Sequence, residues 1–139
     1  YERSASGRGQ YVDLALLDTQ VAWLANQNLN YLVGGQVPRR QGTAHPNIVP
    51  YQAFATADGF LMLAVGNDRQ FAEFCRVAGR DDLAQDVRYA TNAERVRHRD
   101  RLVPEVERTL RTRTTAEWLA ALTPAAVPCG PINDLAQVF

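Results

Sequence analysis

Lysine is missing from these 139 residues: all fifteen basic side chains are arginine. A Schiff-base lysine, a lysine general base and the phosphate-gripping lysine of a P-loop are therefore excluded. Cysteine is nearly absent, and Cys75 and Cys129 stand far apart with no partner at metal-ligand spacing. They read as small reduced hydrophobes of a cytoplasmic protein, not as a disulfide framework or a metal site. Charge of one sign is missing too, since fifteen acidic residues balance the fifteen arginines. A general nucleic-acid binder needs a positive excess, so no nucleic-acid partner is expected, although a local basic site for a phosphorylated small molecule is still allowed. No apolar run approaches the roughly 18 residues of a membrane span, so no membrane partner is expected. "YERSASGRGQ" has neither a leading methionine nor an apolar signal core, and "PINDLAQVF" stops inside a predicted helix. Both ends lead us to expect a fragment.

What remains is ordinary for a globular domain, with 46% hydrophobic and 22% charged residues. "SASGRGQ" reads as a turn or linker. "QYVDLAL" alternates apolar and polar residues like a short strand. From Asp18 the pattern turns helical, with Leu17, Val21, Leu24, Asn28 and Tyr31/Leu32 at steps of three and four, and Asp18 is suited to a helix start. "GGQVPRRQGTAHPN" is a loop, long enough to suggest a function. "YQAFA" and "FLMLAVG" predict a hairpin turned at "ADG", with Gly59 placed where a positive φ is useful.

Asn67 or Asp68 is expected to cap the helix "DRQFAEFCRVAG", which ends at Gly79. "RDDLAQDVRYAT" reads as a short connector. Asn92 is expected to cap a charged helix from about Ala93 to Arg111, kinked or broken at Pro104. Thr114 with Glu117 forms the pattern of a capping box opening "TAEWLAALT". "PAAVPCGPIND" is a loop with a buried-looking centre, and Asn133 or Asp134 starts a last helix. The predicted class is α+β: a small antiparallel sheet or hairpin with several helices. Trp23, Phe54, Phe71, Trp118 and Leu122 are its expected core.

Few residues carry chemistry. His45, three residues after Gly42 and just before a proline, has two readings: a ligand-facing donor or proton carrier, or a histidine that orders the turn through one ring nitrogen. Asp18 reads as a helix cap, Asp58 as a turn residue and Asp13 as the wet side of a strand. "RVRHRDR", residues 95–101, is the single basic cluster. With Glu94, Asp100, Glu105 and Glu107 around it, it reads as a solvated helix surface, His98 included. No nucleophile elbow, P-loop, zinc pattern or dinucleotide fingerprint is present.

Four segments together resemble the family III CoA-transferases, the group of formyl-CoA and carnitine CoA-transferases and α-methylacyl-CoA racemases. They are "SGRGQYVDLALLD", "GTAHPNIVPYQAFATADGFLMLAV" (42–65), "LAQDVRYATNAERVRHRDRL" (83–102) and "TTAEWLAALTPAAVPCGPINDLAQVF" (114–139). The resemblance implies the small domain of a longer two-domain enzyme. Residues 1–33 would lead from a large domain, and residues 34–139 would form the small domain with its glycine/histidine loop at 40–47. It implies an acyl-CoA transferase that moves CoA between carboxylic acids through a covalent aspartyl intermediate. That aspartate falls before Tyr1, so neither Asp13 nor Asp18 takes its part and no catalytic residue lies in this chain.

Coenzyme A thioester enters as substrate, and no permanently bound cofactor or metal is implied. Acyl-CoA and a carboxylic acid are the expected partners, with an interlocked homodimer as the assembly. The loop at 40–47 matches the glycine-rich loop that closes over the intermediate in formyl-CoA transferase. Here it reads "RQGTAHPN" in place of consecutive glycines, which favours another acyl group. Gly42, His45 and Asn47 become substrate-lining residues by this match, and Leu16 matches a position near bound CoA. Two alternatives stay open: racemisation at the α-carbon of an acyl-CoA, and a non-catalytic interaction or CoA-binding module.

Overall fold

The computed structural model describes residues 1–139, and the chain divides into two compact units, Tyr1–Arg40 and Gln41–Phe139. The first unit holds three helices: α1 (Glu2–Ser6), α2 (Leu16–Trp23) and α3 (Ala25–Leu32). Helix α1 stops where Gly7 turns left-handed at φ 70°. The strand expected over "QYVDLAL" does not form. Val12 and Leu14 stay exposed and no neighbouring strand pairs with them, and a lone strand has nowhere to place its backbone hydrogen bonds. The predicted helix begins at Leu16, two residues before Asp18, and is interrupted at Leu24. Asn28 Nδ2 spans that interruption by donating to the Val21 carbonyl at 2.8 Å. Trp23, expected in the core, is 82% exposed, and no residue of these three helices is buried.

The second unit is built on an antiparallel three-stranded sheet in the order β1-β2-β3, with β1 at Tyr51–Ala55, β2 at Phe60–Ala64 and β3 at Cys129–Pro131. Phe54 faces Leu61 across the first pair, and Leu63 faces Cys129 across the second. The period of two sends Leu61 and Leu63 to the same buried face. The helices of this unit are α4 (Asp68–Ala78), α5 (Asp81–Gln85), α6 (Asn92–Arg97), α7 (Arg99–Leu110), α8 (Thr115–Leu122) and α9 (Leu135–Val138), with a 3₁₀ turn at Val87–Tyr89. Phe71, Phe74 and Cys75 line one side of α4, and Leu102, Val106, Thr109 and Leu110 one side of α7. The apolar ones among these residues meet Phe54, Leu61, Leu63, Trp118 and Leu122 in one core. Trp118 enters it without stranding its indole proton, because Nε1 donates to the Leu110 carbonyl at 2.7 Å.

Most element ends follow the sequence signals. Asn67 caps α4 through Gln70 N–H, and Gly79 ends it at φ 66°. Thr114 and Glu117 form the reciprocal capping box of α8, and Asp134 does the same with Gln137 for α9. Three details differ. Gly59 is not among the positive-φ residues; the turn is closed instead by Thr56, whose N–H donates to the Gly59 carbonyl at 2.9 Å and whose Oγ1 accepts Gly59 N–H at 3.1 Å. Thr91, not Asn92, caps α6. Pro104 sits inside α7 without breaking it, and the interruption falls at His98. Pro104 lacks the donor for the Asp100 carbonyl, and Asp100 is an exposed residue.

Candidate functional site

The loop that carries Gly42, His45 and Asn47 runs along the outer edge of β1. Thr43 Oγ1 accepts Ala53 N–H at 3.1 Å, and His45 N–H donates to the Tyr51 carbonyl at 2.9 Å. An edge strand that would otherwise offer open backbone groups is thus covered by the loop. Gly42 allows the entry turn, with φ at 60° and open space where a Cβ would sit. The His45 ring stacks on Tyr51 at 5.2 Å between centroids and 22° between planes. Its Nδ1 accepts the Asn47 N–H at 3.1 Å.

Helices α6 and α7 hold the other side of the loop. Asn92 Nδ2 donates to the Asn47 carbonyl at 2.8 Å, and its Oδ1 accepts Val49 N–H at 3.2 Å. Arg99 Nη2 donates to the Pro46 carbonyl at 2.7 Å and the His45 carbonyl at 3.2 Å. Arg95 is fully buried, contrary to the solvated surface expected for "RVRHRDR". Its Nε donates to the Val49 carbonyl at 2.8 Å, Nη1 to the Tyr89 carbonyl at 3.0 Å and Nη2 to Asp68 Oδ1 at 2.8 Å. The guanidinium lies 4.6 Å from the Phe71 ring centroid. Three oxygens and an aromatic face replace its water shell. His98 is half-buried rather than solvated, with Nδ1 2.9 Å from the Glu94 carbonyl.

A hollow of about 460 Å³ opens between the loop, β1 and α7, bordered by Gln41, Ala44, Pro46, Gln52 and Arg99 among others. A second, of about 450 Å³, lies between α4 and residues 124–126, and none of the sequence-predicted site residues lines it. Leu16 opens α2 in the first unit and is exposed. The structure therefore gathers Gly42, His45 and Asn47 in one loop and places Leu16 in the other unit. Asn92, Arg95 and Arg99 were missed as loop-holding residues. Their spacing of three and four on a helix was the available signal, obscured by six arginines within residues 88–108.

The other reactive groups are bound up elsewhere. Burial pushes the Cys75 thiol up to about 12, and burial raises Cys129 as well. Neither thiol supplies a thiolate nucleophile near neutral pH. Asp58 is held below its ordinary value, first by the Thr115 N–H, against an opposing effect of desolvation. It accepts from Thr115 N at 2.8 Å and from the Thr56 and Thr115 hydroxyls at 3.1 Å each, which makes it a turn and helix-start residue. Asp13 lies in an irregular stretch, exposed. No group of three or more His, Cys, Asp and Glu side chains is placed to hold a metal ion.

The loop thus presents one imidazole on a small α+β unit, held by hydrogen bonds from β1, α6 and α7. The chain belongs to CoA-transferase family III, whose model it matches over residues 1–139. It is 51% identical to a succinate–glutarate CoA-transferase of Agrobacterium fabrum across 96% of this chain and 34% of the relative. It is 42% identical to a succinyl-CoA:glutarate CoA-transferase of Mus musculus across 99% of this chain and 32% of the relative. Among solved structures, a CAIB/BAIF family protein from Brucella suis aligns with a TM-score of 0.73 at 43% identity, over 98% of this chain and 36% of that one. The chain spans about a third of the length of these relatives.

Proposed function

We propose that this chain is the small domain of an acyl-CoA transferase that moves CoA between carboxylic acids, with dicarboxylates of the succinate and glutarate kind as donor and acceptor. The observation that carries this reading is the whole-chain identity to the succinate–glutarate enzyme of Agrobacterium fabrum. In this reading residues 1–33 lead from the large domain and residues 34–139 form the small one. Gly42, His45 and Asn47 line the acyl site, and Leu16 approaches bound CoA. The enzyme works in the cytoplasm as an interlocked homodimer, without a permanently bound cofactor.

The chemistry needs a carboxylate supplied upstream of Tyr1. That aspartate attacks the thioester carbonyl and releases CoA thiolate, leaving a mixed anhydride. The thiolate then attacks the aspartyl carbonyl, expelling the first acid and leaving an aspartyl-CoA thioester. The acceptor acid reverses the two steps. The part left to this chain is to hold donors where negative charge develops on oxygen.

Intact mass of the full-length protein mixed with succinyl-CoA tests the reading. A covalent gain equal to CoA less one water, removed by hydroxylamine, together with glutaryl-CoA formation when glutarate is added, is expected. Absence of an adduct with deuterium entering the acyl α-carbon in heavy water overturns it in favour of racemisation. Tight 1:1 binding of free CoA by the 139-residue chain, with no adduct and no exchange in the full-length protein, overturns it in favour of a binding module.

A further inference from the structure

Asn92, Arg95 and Arg99 recur at steps of three and four, so one side of the α6–α7 run faces the segment 45–49. Five of the six backbone groups they bind belong to that segment, and the sixth is the Tyr89 carbonyl; Arg95 also pairs with the Asp68 side chain. Arg99 differs from Arg95 in what it grips. Its acceptors are neutral oxygens: the His45 and Pro46 carbonyls, with Gln41 Oε1 more distant at 3.5 Å. A charged donor to carbonyl oxygen makes a stronger hydrogen bond than a neutral one. A guanidinium also holds two consecutive carbonyls with a fixed plane, which an ammonium does not.

The grip lands on His45, whose own atoms are already assigned. Its N–H goes to Tyr51, its carbonyl to Arg99 and its Nδ1 to Asn47 N–H. A ring nitrogen that accepts carries no proton, so in the neutral ring the proton sits on Nε2. Stacking on Tyr51 fixes the ring plane. The Nε2–H takes part in none of these contacts, and its direction is set by a ring and a backbone that are both fixed.

We propose that Arg99 is the positioning residue for His45: by holding the 45 and 46 carbonyls it keeps the imidazole presenting Nε2–H as a hydrogen-bond donor to the carboxylate or thioester oxygen of the acyl substrate. The inference rests on the reading that this loop lines the acyl site. It makes His45 a donor to developing negative charge, not the base that removes a proton. Arg99 acts only through it.

The test is a double-mutant cycle in the full-length enzyme, following CoA transfer from succinyl-CoA to glutarate. H45A is expected to lower kcat on the order of 100-fold, the scale of one lost donor to a charged transition state. R99A is expected to lower kcat by about 10- to 100-fold through displacement of the ring, with KM for succinyl-CoA changed less than kcat. The double variant is expected to be no slower than H45A alone, since Arg99 has nothing left to position. R99K recovers part of the loss, and R101A, an exposed neighbour on α7, keeps the wild-type rate.

A factor for R99A that is the same with and without His45 overturns the proposal and leaves the site reading intact. Wild-type rates for both H45A and R99A overturn the placement of the loop at the acyl site, and the proposal with it. If thermal melting shows that R99A is unfolded, R99K replaces it in the same cycle and the same comparison decides.

Discussion

Arg95 has no solvent exposure, yet the carboxylate it meets, Asp68, has a side chain 53% exposed. The two halves of this ion pair are therefore unequal in what their loss would do. Removing the guanidinium leaves the Val49 and Tyr89 carbonyls without their donor in a dry interior, and each such group costs about 1–3 kcal/mol. R95A is thus expected to destabilise the full-length protein by roughly 3 kcal/mol or more in urea unfolding, and R95K by somewhat less, because one ammonium cannot replace three directed donors. D68N leaves all the buried acceptors served and gives up only a half-solvated pair, so a loss within about 1 kcal/mol is expected. Equal losses for R95A and D68N would show that the pair, not the carbonyls, needs the arginine. The sequence could not separate Arg95 and Arg99 from their neighbours, because hydrogen bonds to partners 46 to 54 residues away carry no local signature. His45 was legible for the opposite reason. A histidine between glycine and proline in a long loop stands out locally.

Elements whose ends are set by local chemistry were legible as well. The Thr114–Glu117 box needs only residues three apart, and it is present with Glu117 Oε2 accepting Thr114 N–H at 2.8 Å. T114A is expected to cost about 1 kcal/mol, read from the shift in urea midpoint. The strand expected at residues 10–16 does not form, and of the kink or break expected at Pro104 the break is absent, since α7 runs through it. Pairing partners and the solvation of a freed carbonyl belong to tertiary structure, not to the segment. The β1–β2 turn mixes both kinds of control. Thr56 and Gly59 close it locally, while Asp58 ties it to the start of α8 through Thr115. The Thr115 N–H holds the Asp58 carboxyl below its ordinary 3.8, so the charged form is the one the fold favours. A depressed carboxyl contributes stability that is present above its unfolded value and lost as pH falls through the folded one. D58A is therefore expected to melt below the wild type at neutral pH, with the gap narrowing as pH falls from about 4 toward the folded value. A gap that stays constant across that acid window would mean that the charge contributes nothing.

Burial is divided unevenly along the chain. Every buried apolar residue lies between Val49 and Val127, whereas Leu16, Trp23, Leu32 and Val33 in the first unit are all more than 70% exposed. Helices of eight residues gain little from propensity alone, and isolated ones this short are marginal in water. Nothing inside residues 1–40 supplies the packing that would hold α2 and α3 shut, so their amides should open freely. Hydrogen exchange of the 139-residue chain is expected to show slow amides in β2, α4 and α7 and fast ones throughout residues 16–32. The family relatives are about three times as long, and large exposed apolar residues on two consecutive helices are the kind of surface that further chain or another subunit covers. Exchange in residues 16–32 is therefore expected to slow markedly when the same measurement is made on the full-length protein. Equal, fast exchange in both would mean that these helices stay open in the full-length protein as well. Leu16 could not then be part of an ordered CoA-facing surface.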